Sequence, residues 1–403
     1  MNVLALNCGS SSVKFRLLAV EPGASVEALR ALAEGVVERL GPAARLTLER
    51  EGRVERGEEP VADHAAAVGR VLSWLASRAA DIDAVGHRVV HGGARFTSPT
   101  TIDDAVLEAV EGLEALAPLH NRPSLAGIRA SRDRLGPTPM VAVFDTAFHA
   151  RLPERAAHYA IPGDLARRHG IRRFGFHGTS YAWVTARSAT LLGRPAGAPR
   201  LVALHLGSGC SAAAIRGGAS IDTSMGLTPL EGLVMATRSG DVDPALLGYL
   251  VRAEGVSVAE VERWLNERSG LLGLAGGSGD VRDLLAREAD DPRARLALDV
   301  FCHRARKYLG AYLAALEGAD AVVFTGGVGT HQPEIRRRVA AGFGWAGLAL
   351  DLDANAATVG TEGTVSAAGS AVRVLVVPAD EERVIAHETA ACLARAVPSG
   401  GRR

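Results

Sequence analysis

Asp145 ends the apolar run of VAVFDTAFH (Val141–His149), where a carboxylate is costly unless a cation or hydrogen-bond donor receives it. Arg88 and His91 stand between glycines in GHRVVHGG (Gly86–Gly93), and His120 lies beside a proline turn in APLHNRPS (Ala117–Ser124). His177 sits between aromatics and a Gly-Thr-Ser turn in FGFHGTS (Phe174–Ser180), a place for a donor that stabilises charge in flight. Arg238, in TRSGD, can bind carboxylate or phosphate with a planar fork, and Asp380, Glu381 and Glu382 follow a buried-type strand where carboxylates can reach magnesium. Each has an ordinary reading too: a solvated arginine, a satisfied structural histidine, or a helix cap formed by Thr179, Ser180, Thr237, Ser239, Asp241 or the terminal acids. Together they are the parts that phosphoryl transfer needs.

Two glycine-serine segments echo one another. LALNCGSSSVKF (Leu4–Phe15) and VALHLGSGCSAA (Val202–Ala213) both read as strand, turn, strand, and their turns can offer backbone N–H groups and hydroxyls to a phosphate. Two such turns facing one cleft would grip a polyphosphate from both sides. A third glycine turn, FTGGVGTH (Phe324–His331), follows an apolar strand and precedes a helical Gln332–Ala341. It is neither a Walker A loop nor a dinucleotide-binding G-x-G-x-x-G.

The surrounding pattern alternates short β-rich runs with amphipathic stretches and predicts an α/β protein. Strands are expected at Val3–Leu6, Val13–Leu18, Met140–Phe144, Leu201–Leu206, Ala212–Ile215, Ala321–Thr325 and Val372–Val377. Helices are expected at His64–Ala79, Asp103–Ala115, Tyr181–Leu192, Pro244–Ala253, Arg293–Leu316 and Glu381–Ala396, with a solvent-facing charged hairpin at Arg45–Arg56. The run Asp222–Pro244 carries apolar residues among its Gly, Ser and Thr and reads as an ordered loop.

The 403 residues exceed one core, and the 47% hydrophobic fraction can fill two. Lys+Arg 45 balances Asp+Glu 45, which removes the broad attraction that nucleic acid or an anionic membrane surface would need. Lys14 and Lys307 are the only lysines, and Lys14 stands in the first Gly/Ser turn. The N-terminal run has no basic leader or small-residue cleavage site, and the four cysteines lack metal-type spacing, so a cytoplasmic protein is expected.

With these motifs the chain resembles the acetate kinase family. The blocks that carry the resemblance are NCGSSSVKF, GHRVVHGG, LAPLHN, FDTAFH, FGFHGTSY, HLGSGCS, DTSMGLTPLEGL, TRSGDVDP and PADEE, and the match runs from Asn7 to Thr389 in the family's order. The resemblance implies two similar domains of the acetate and sugar kinase, Hsp70 and actin superfamily, ribonuclease H-like, with the active site in the cleft between them. Residues 1–148 would form the N-terminal domain, completed by the C-terminal helix 380–403, and 149–379 the nucleotide-binding domain. It also implies a homodimer and Mg²⁺-dependent, reversible phosphoryl transfer between ATP and acetate, with Mn²⁺ as the alternative to Mg²⁺.

Matched residue by residue, the family pattern makes Asn7 and Glu381 metal-associated, with Glu382 one position away, and puts Ser10, Ser12 and Lys14 in a phosphate-side loop. Arg88, Asp145, His177 and Arg238 become the catalytic residues. Val90, Leu119, His120, Phe176 and Pro229, with Arg88, would bind the acid substrate. His205, Gly207, Ser208, Gly209, Asp280, Val281, Arg282, Gly327, Val328, Gly329 and His331 would surround the nucleotide. The chain departs from the family at Ser208, Thr330 and His331, which keeps pyrophosphate open as donor, and at Arg122 and Tyr181. Propionate or another short-chain acid is the alternative acceptor, and a non-catalytic, nucleotide-switched binding protein is the alternative of another class.

Overall fold

The structure, a computed structural model, describes residues 1–76, 82–113 and 118–396. The chain divides into two units, Met1–Ala150 with Phe176–Trp183 and the segment from Asp380, and Arg151–Gly175 with Val184–Ala379.

In the first unit the strands are β1 (Asn2–Cys8), β2 (Ser12–Ala19), β3 (Arg30–Glu38), β4 (Gly41–Arg50), β5 (Arg53–Val61), β6 (Ala84–Val89), β7 (Thr100–Thr101) and β8 (Met140–Phe144). They form one sheet in the order β5-β4-β3-β2-β1-β6-β8-β7. β1 to β5 run antiparallel to their neighbours in the sequence, whereas β1, β6 and β8 are parallel.

Alternation along the parallel strands divides the side chains between two cores. Leu4, Leu6 and Cys8 pack with Val68 and Val71 of the helix His64–Trp74, while Val3, Ala5, Ala84, Val141 and Val143 pack with Ile385 and Ala386 of the helix Glu381–Ala396. Continuing that second set by twos leads from Ala5 to Asn7, from Ala84 to Arg88 and from Val143 to Asp145. The polar ends of three strands therefore share the face covered by the C-terminal helix. Gly86 allows its close approach, because a Cβ there would lie 2.3 Å from Thr389 Oγ1 and 2.7 Å from Ile385 Cγ2.

The second unit holds β9 (Leu201–Leu206), β10 (Cys210–Arg216), β11 (Ala219–Thr223), β12 (Ala321–Thr325), β13 (Gly363–Thr364) and β14 (Arg373–Val376), in the order β11-β10-β9-β12-β14-β13. Here too an antiparallel hairpin continues into parallel partners, β9 with β12 and β12 with β14. The order β3-β2-β1-β6-β8 in one unit matches β11-β10-β9-β12-β14 in the other, so the sequence echo corresponds to a repeated topology. A helix over Pro292–Ala315 packs on β9 and β10; it starts there because the Asp291 carboxylate accepts from the N–H groups of Arg293 and Ala294 and Pro292 opens the first turn.

Local expectations failed in several places. The third glycine turn is helical over Gly326–His331, since Thr330 Oγ1 donates to Gly326 O at 2.8 Å and closes the turn. Of the proline turn expected at Ala117–Ser124, Pro118–Ser124 lies within the helix Pro118–Leu135, which contains Pro123, and Ala117 lies outside the described residues. The hairpin at Arg45–Arg56 exists, but Leu46 and Leu48 are buried because alternation turns one face of β4 to the core. The helix expected to open near Thr179 or Ser180 begins at Gly178. The C-terminal part of the expected helix His64–Ala79 falls partly outside the described residues, as does that of Asp103–Ala115.

Candidate active site

In the first unit the shared polar face converges on Asp145. Its carboxylate, fully buried, accepts from Arg88 Nε at 3.1 Å to both oxygens, from Arg88 Nη2 at 2.5 Å, and from Thr179 Oγ1 at 3.0 Å. Thr179 therefore holds the carboxylate instead of capping its own helix. Gly178 permits this packing, because a Cβ there would lie 1.9 Å from the Asp145 carbonyl oxygen. Arg88 Nη1 donates to Asn7 Oδ1 at 3.1 Å, and Asn7 Nδ2 donates to Glu381 Oε2 at 2.8 Å and Glu382 Oε1 at 3.2 Å. Burial opposes the Arg88 charge, but Asp145 and then Glu381 more than offset it and raise the guanidinium pKa. Glu382 is pushed up, first by desolvation and then by the charge of Glu381. Asp380, by contrast, is taken by Arg16 at 2.8 Å and Arg383 at 2.9 Å.

The Gly/Ser turn lies beside this cluster in the chain. Gly9 N donates to Ser12 O at 2.8 Å, and His64, which sequence reasoning missed, meets the Gly9 carbonyl at 2.7 Å through Nε2. Ser10 and Lys14 are exposed and Ser12 half-buried, while the charge of Lys14 acts on Glu382. His177 has φ 57°, a left-handed conformation that costs a non-glycine residue energy. Next to it, the Phe176 carbonyl meets His149 Nε2 at 3.0 Å. Burial lowers the His149 pKa to about 4, so this ring is neutral near pH 7. Val90 and Phe176 are buried, and Phe176 packs edge-on against His91 at 5.3 Å. Leu119 and His120 have side chains outside the described residues.

The second unit contains a cavity of about 630 Å³. Gly207, Ser208, Asp280, Val281, Arg282, Gly327, Val328 and His331 line it, which brings together eight of the expected nucleotide-side residues. Thr237, Leu272, Ser278 and Gln332 also line it and were missed, since none of them stands at a spacing that marks a nucleotide site. His205 on β9, Gly209 and Gly329 lie outside the lining. Asp280 caps the helix Val281–Arg287 and pairs with Arg282 at 2.5 Å.

The loop after β11 reaches the same wall. Ala236 N donates to Ser208 O at 3.1 Å, and Met235 N to Arg238 O at 3.1 Å. Arg238 Nη1 donates to the carbonyl of buried Pro229 at 2.7 Å, and among the described residues no carboxylate pairs with it. Desolvation lowers its pKa, with Cys210 opposing. Thr237, Ser239 and Asp241 cap no helix: Thr237 donates to Asn266 O, Ser239 to Gly240 O, and Asp241 accepts from Gly232 N and Tyr308.

A model of the acetokinase family matches residues 2–387. The chain belongs to the acetokinase family. It is 50% identical over 407 residues to an acetate kinase of Solibacter usitatus, covering 98% of each chain. Among solved structures it resembles an acetate kinase of Porphyromonas gingivalis with TM-score 0.86 and 42% identity, and a propionate kinase of Francisella tularensis with TM-score 0.88 and 37% identity. Each covers 97% of this chain and 99% of the other. The repeated α/β topology is thus that of an acetokinase. Among the described residues of this acetokinase chain, no three His, Cys, Asp or Glu residues group as a metal site, and no helix is long and apolar enough to cross a membrane.

Proposed function

We propose that the chain transfers a phosphoryl group reversibly between ATP and acetate, giving ADP and acetyl phosphate by direct in-line displacement. The observation that carries this reading is the Asp145–Arg88–Asn7–Glu381 network at the ends of three parallel strands, in a chain of the acetokinase family. Three of the guanidinium's donors are already engaged, which fixes its plane, and the other two are left for an anion. A carboxylate oxygen of acetate attacks the terminal phosphorus, the new O–P bond forms as the bond to ADP breaks, and no phosphoenzyme intervenes. Arg88, Arg238 and His177 stabilise the charge on the transferred group, and Asp145 positions Arg88.

The acidic cluster suits a hard divalent cation. Glu381 and Glu382 share one amide, and burial, followed by the charge of Glu381, raises the Glu382 pKa, as expected of carboxylates arranged for a positive charge. Asn7 and Glu381, with Glu382, would hold Mg²⁺ or Mn²⁺ together with phosphate oxygens. Bound there, the ion would neutralise phosphate charge. Gly207, Ser208, Gly327, Val328, His331 and the Asp280–Arg282 segment would receive ATP, with the Ser10, Ser12 and Lys14 turn on the phosphate side. Val90, Leu119, Phe176 and Pro229 would enclose the methyl group, and His120 would bind the acid beside them. Propionate is the alternative acceptor, because one methylene in an apolar pocket changes affinity only modestly.

A homodimer is proposed on the helix Ala245–Glu254, ALLGYLVRAE, which buries none of its residues and leaves Tyr249 61% exposed. A second copy would cover it, and light scattering that gives a monomer at assay concentration refutes this. A cytoplasmic location is supported by four cysteines that are all free and buried. The activity test traps acyl phosphate with hydroxylamine, using ATP or pyrophosphate with acetate, propionate or butyrate. Hydroxamate from acetate and ATP is expected, and its absence with every pair rejects the reading.

A further inference from the structure

Glu231 lies in the DTSMGLTPLEGL motif, and nothing above gives it a role. Its carboxylate is the centre of a clasp in the second unit. Oε1 accepts from Arg173 Nη2 at 2.6 Å and Oε2 from the Tyr159 hydroxyl at 2.5 Å. The Tyr159 oxygen accepts from Leu227 N at 2.9 Å, and Arg173 Nη1 donates to the carbonyls of Ser224 and Met225 at 3.2 and 3.1 Å. The guanidinium also lies over the Tyr159 ring, 5.4 Å from its centre. Gly226 is moulded to this arrangement, because a Cβ there would lie 1.8 Å from Glu231 Oε2 and 2.0 Å from the Tyr159 oxygen.

The other end of the loop is held differently. Leu271 N and Leu272 N donate to the carbonyls of Met235 and Ala236, and Ser239 N donates to Leu265 O, all at 2.9 to 3.0 Å. Gly270, at φ 60°, allows that approach, since its Cβ would lie 2.2 Å from Met235 O. Main-chain bonds thus place the backbone around Arg238. Its guanidinium, however, reaches back to the Pro229 carbonyl, two residues before Glu231. The backbone fixes where the arginine starts, and the clasped segment fixes where its charge ends.

We propose that Glu231, gripped by Arg173 and Tyr159, is a positioning residue for phosphoryl transfer: it sets the Pro229 carbonyl and through it the aim of Arg238. This rests on the role given to Arg238 above. It follows that the clasp changes turnover only while Arg238 is present, a dependence that support of the fold alone would not show.

The test is a mutant cycle on the full chain, read as kcat for hydroxamate formation at saturating acetate and ATP. Glu231→Gln keeps the shape and one acceptor but removes the charge, and is expected to lower kcat about tenfold, the equivalent of one charge-assisted hydrogen bond. Combined with Arg238→Ala it is expected to add no further loss beyond Arg238→Ala alone. Tyr159→Phe, which keeps the ring under Arg173, is expected to give a smaller loss that Arg238→Ala also absorbs, and it carries the cycle if Glu231→Gln fails to fold. The proposal is overturned if the losses multiply, or if folded Glu231→Gln keeps its kcat. Near-normal kcat in Arg238→Ala by itself overturns the role of Arg238 and this proposal with it.

Discussion

Replacing Asp145 by Asn removes one charge and little else. The amide is nearly isosteric, its oxygen can still accept from Arg88, and Thr179 can turn its hydroxyl to accept from the new NH₂. What is lost is the counter-charge of a guanidinium whose side chain is 14% exposed, facing a carboxylate that is 0% exposed. Leaving such a cation without its partner costs about 3–5 kcal/mol. Glu381, 3.8 Å from Arg88 Nε, can replace part of that charge, so the lower end of the range is expected. In a domain of this size about 3 kcal/mol corresponds to a fall in melting temperature of roughly 6–12 °C. The assay is thermal unfolding by circular dichroism, with kcat measured on the same preparations. Arg88→Gln is expected to be destabilised as well, and the double variant to lose less than the sum, because no unpaired charge remains in it. Strictly additive losses, or a melting temperature for Asp145→Asn within about 2 °C of the parent, would refute the account of this pair.

Acid should destabilise the first unit through two buried histidines, His149 with pKa lowered to about 4 and His87 lowered to about 3, both chiefly by desolvation. Both folded pKa values lie below the ordinary 6.5, so the unfolded chain takes up protons first and stability is lost as pH falls below 6.5. Each should cost about 2 kcal/mol by pH 5, measured as a falling urea midpoint, and His87→Leu should remove about half of the slope. The raised Glu382 pKa works in the opposite sense: its contribution is best below the ordinary 4.5 and declines as pH rises above it. Mg²⁺ should therefore raise the melting temperature more at pH 7 than at acid pH, and equal shifts would count against a cation beside Glu382. Gly86→Ala should cost about 1–3 kcal/mol by forcing the C-terminal helix away from Thr389 and Ile385, and should weaken apparent Mg²⁺ affinity in titrations of activity. Unaltered unfolding in that variant would show that the helix docks more loosely than described.

Much of the fold was legible because local pattern carried it. Met140–Phe144, Leu201–Leu206, Ala321–Thr325 and Glu381–Ala396 have the bounds read from hydrophobic runs and flanking turn residues. The repeat was visible as two Gly/Ser segments. Gly326–His331 misled, because glycine freedom is a local preference while its helix is closed by the Thr330 hydroxyl and by packing.

The sequence by itself determined which residue types were present for phosphoryl transfer, and the order of the motifs that identify the family. It also determined that Asp145 closes an apolar strand, since that is written in the run before it. Only the tertiary structure decided that Asn7, Arg88 and Asp145 share one face, that Asp380 is taken by Arg16 while Glu381 and Glu382 meet Asn7, and that Glu231 grips Arg173 and Tyr159. Strand register and the docking of a helix that follows β1 by more than three hundred and seventy residues depend on contacts between distant segments. No window along the chain contains both partners of such a contact.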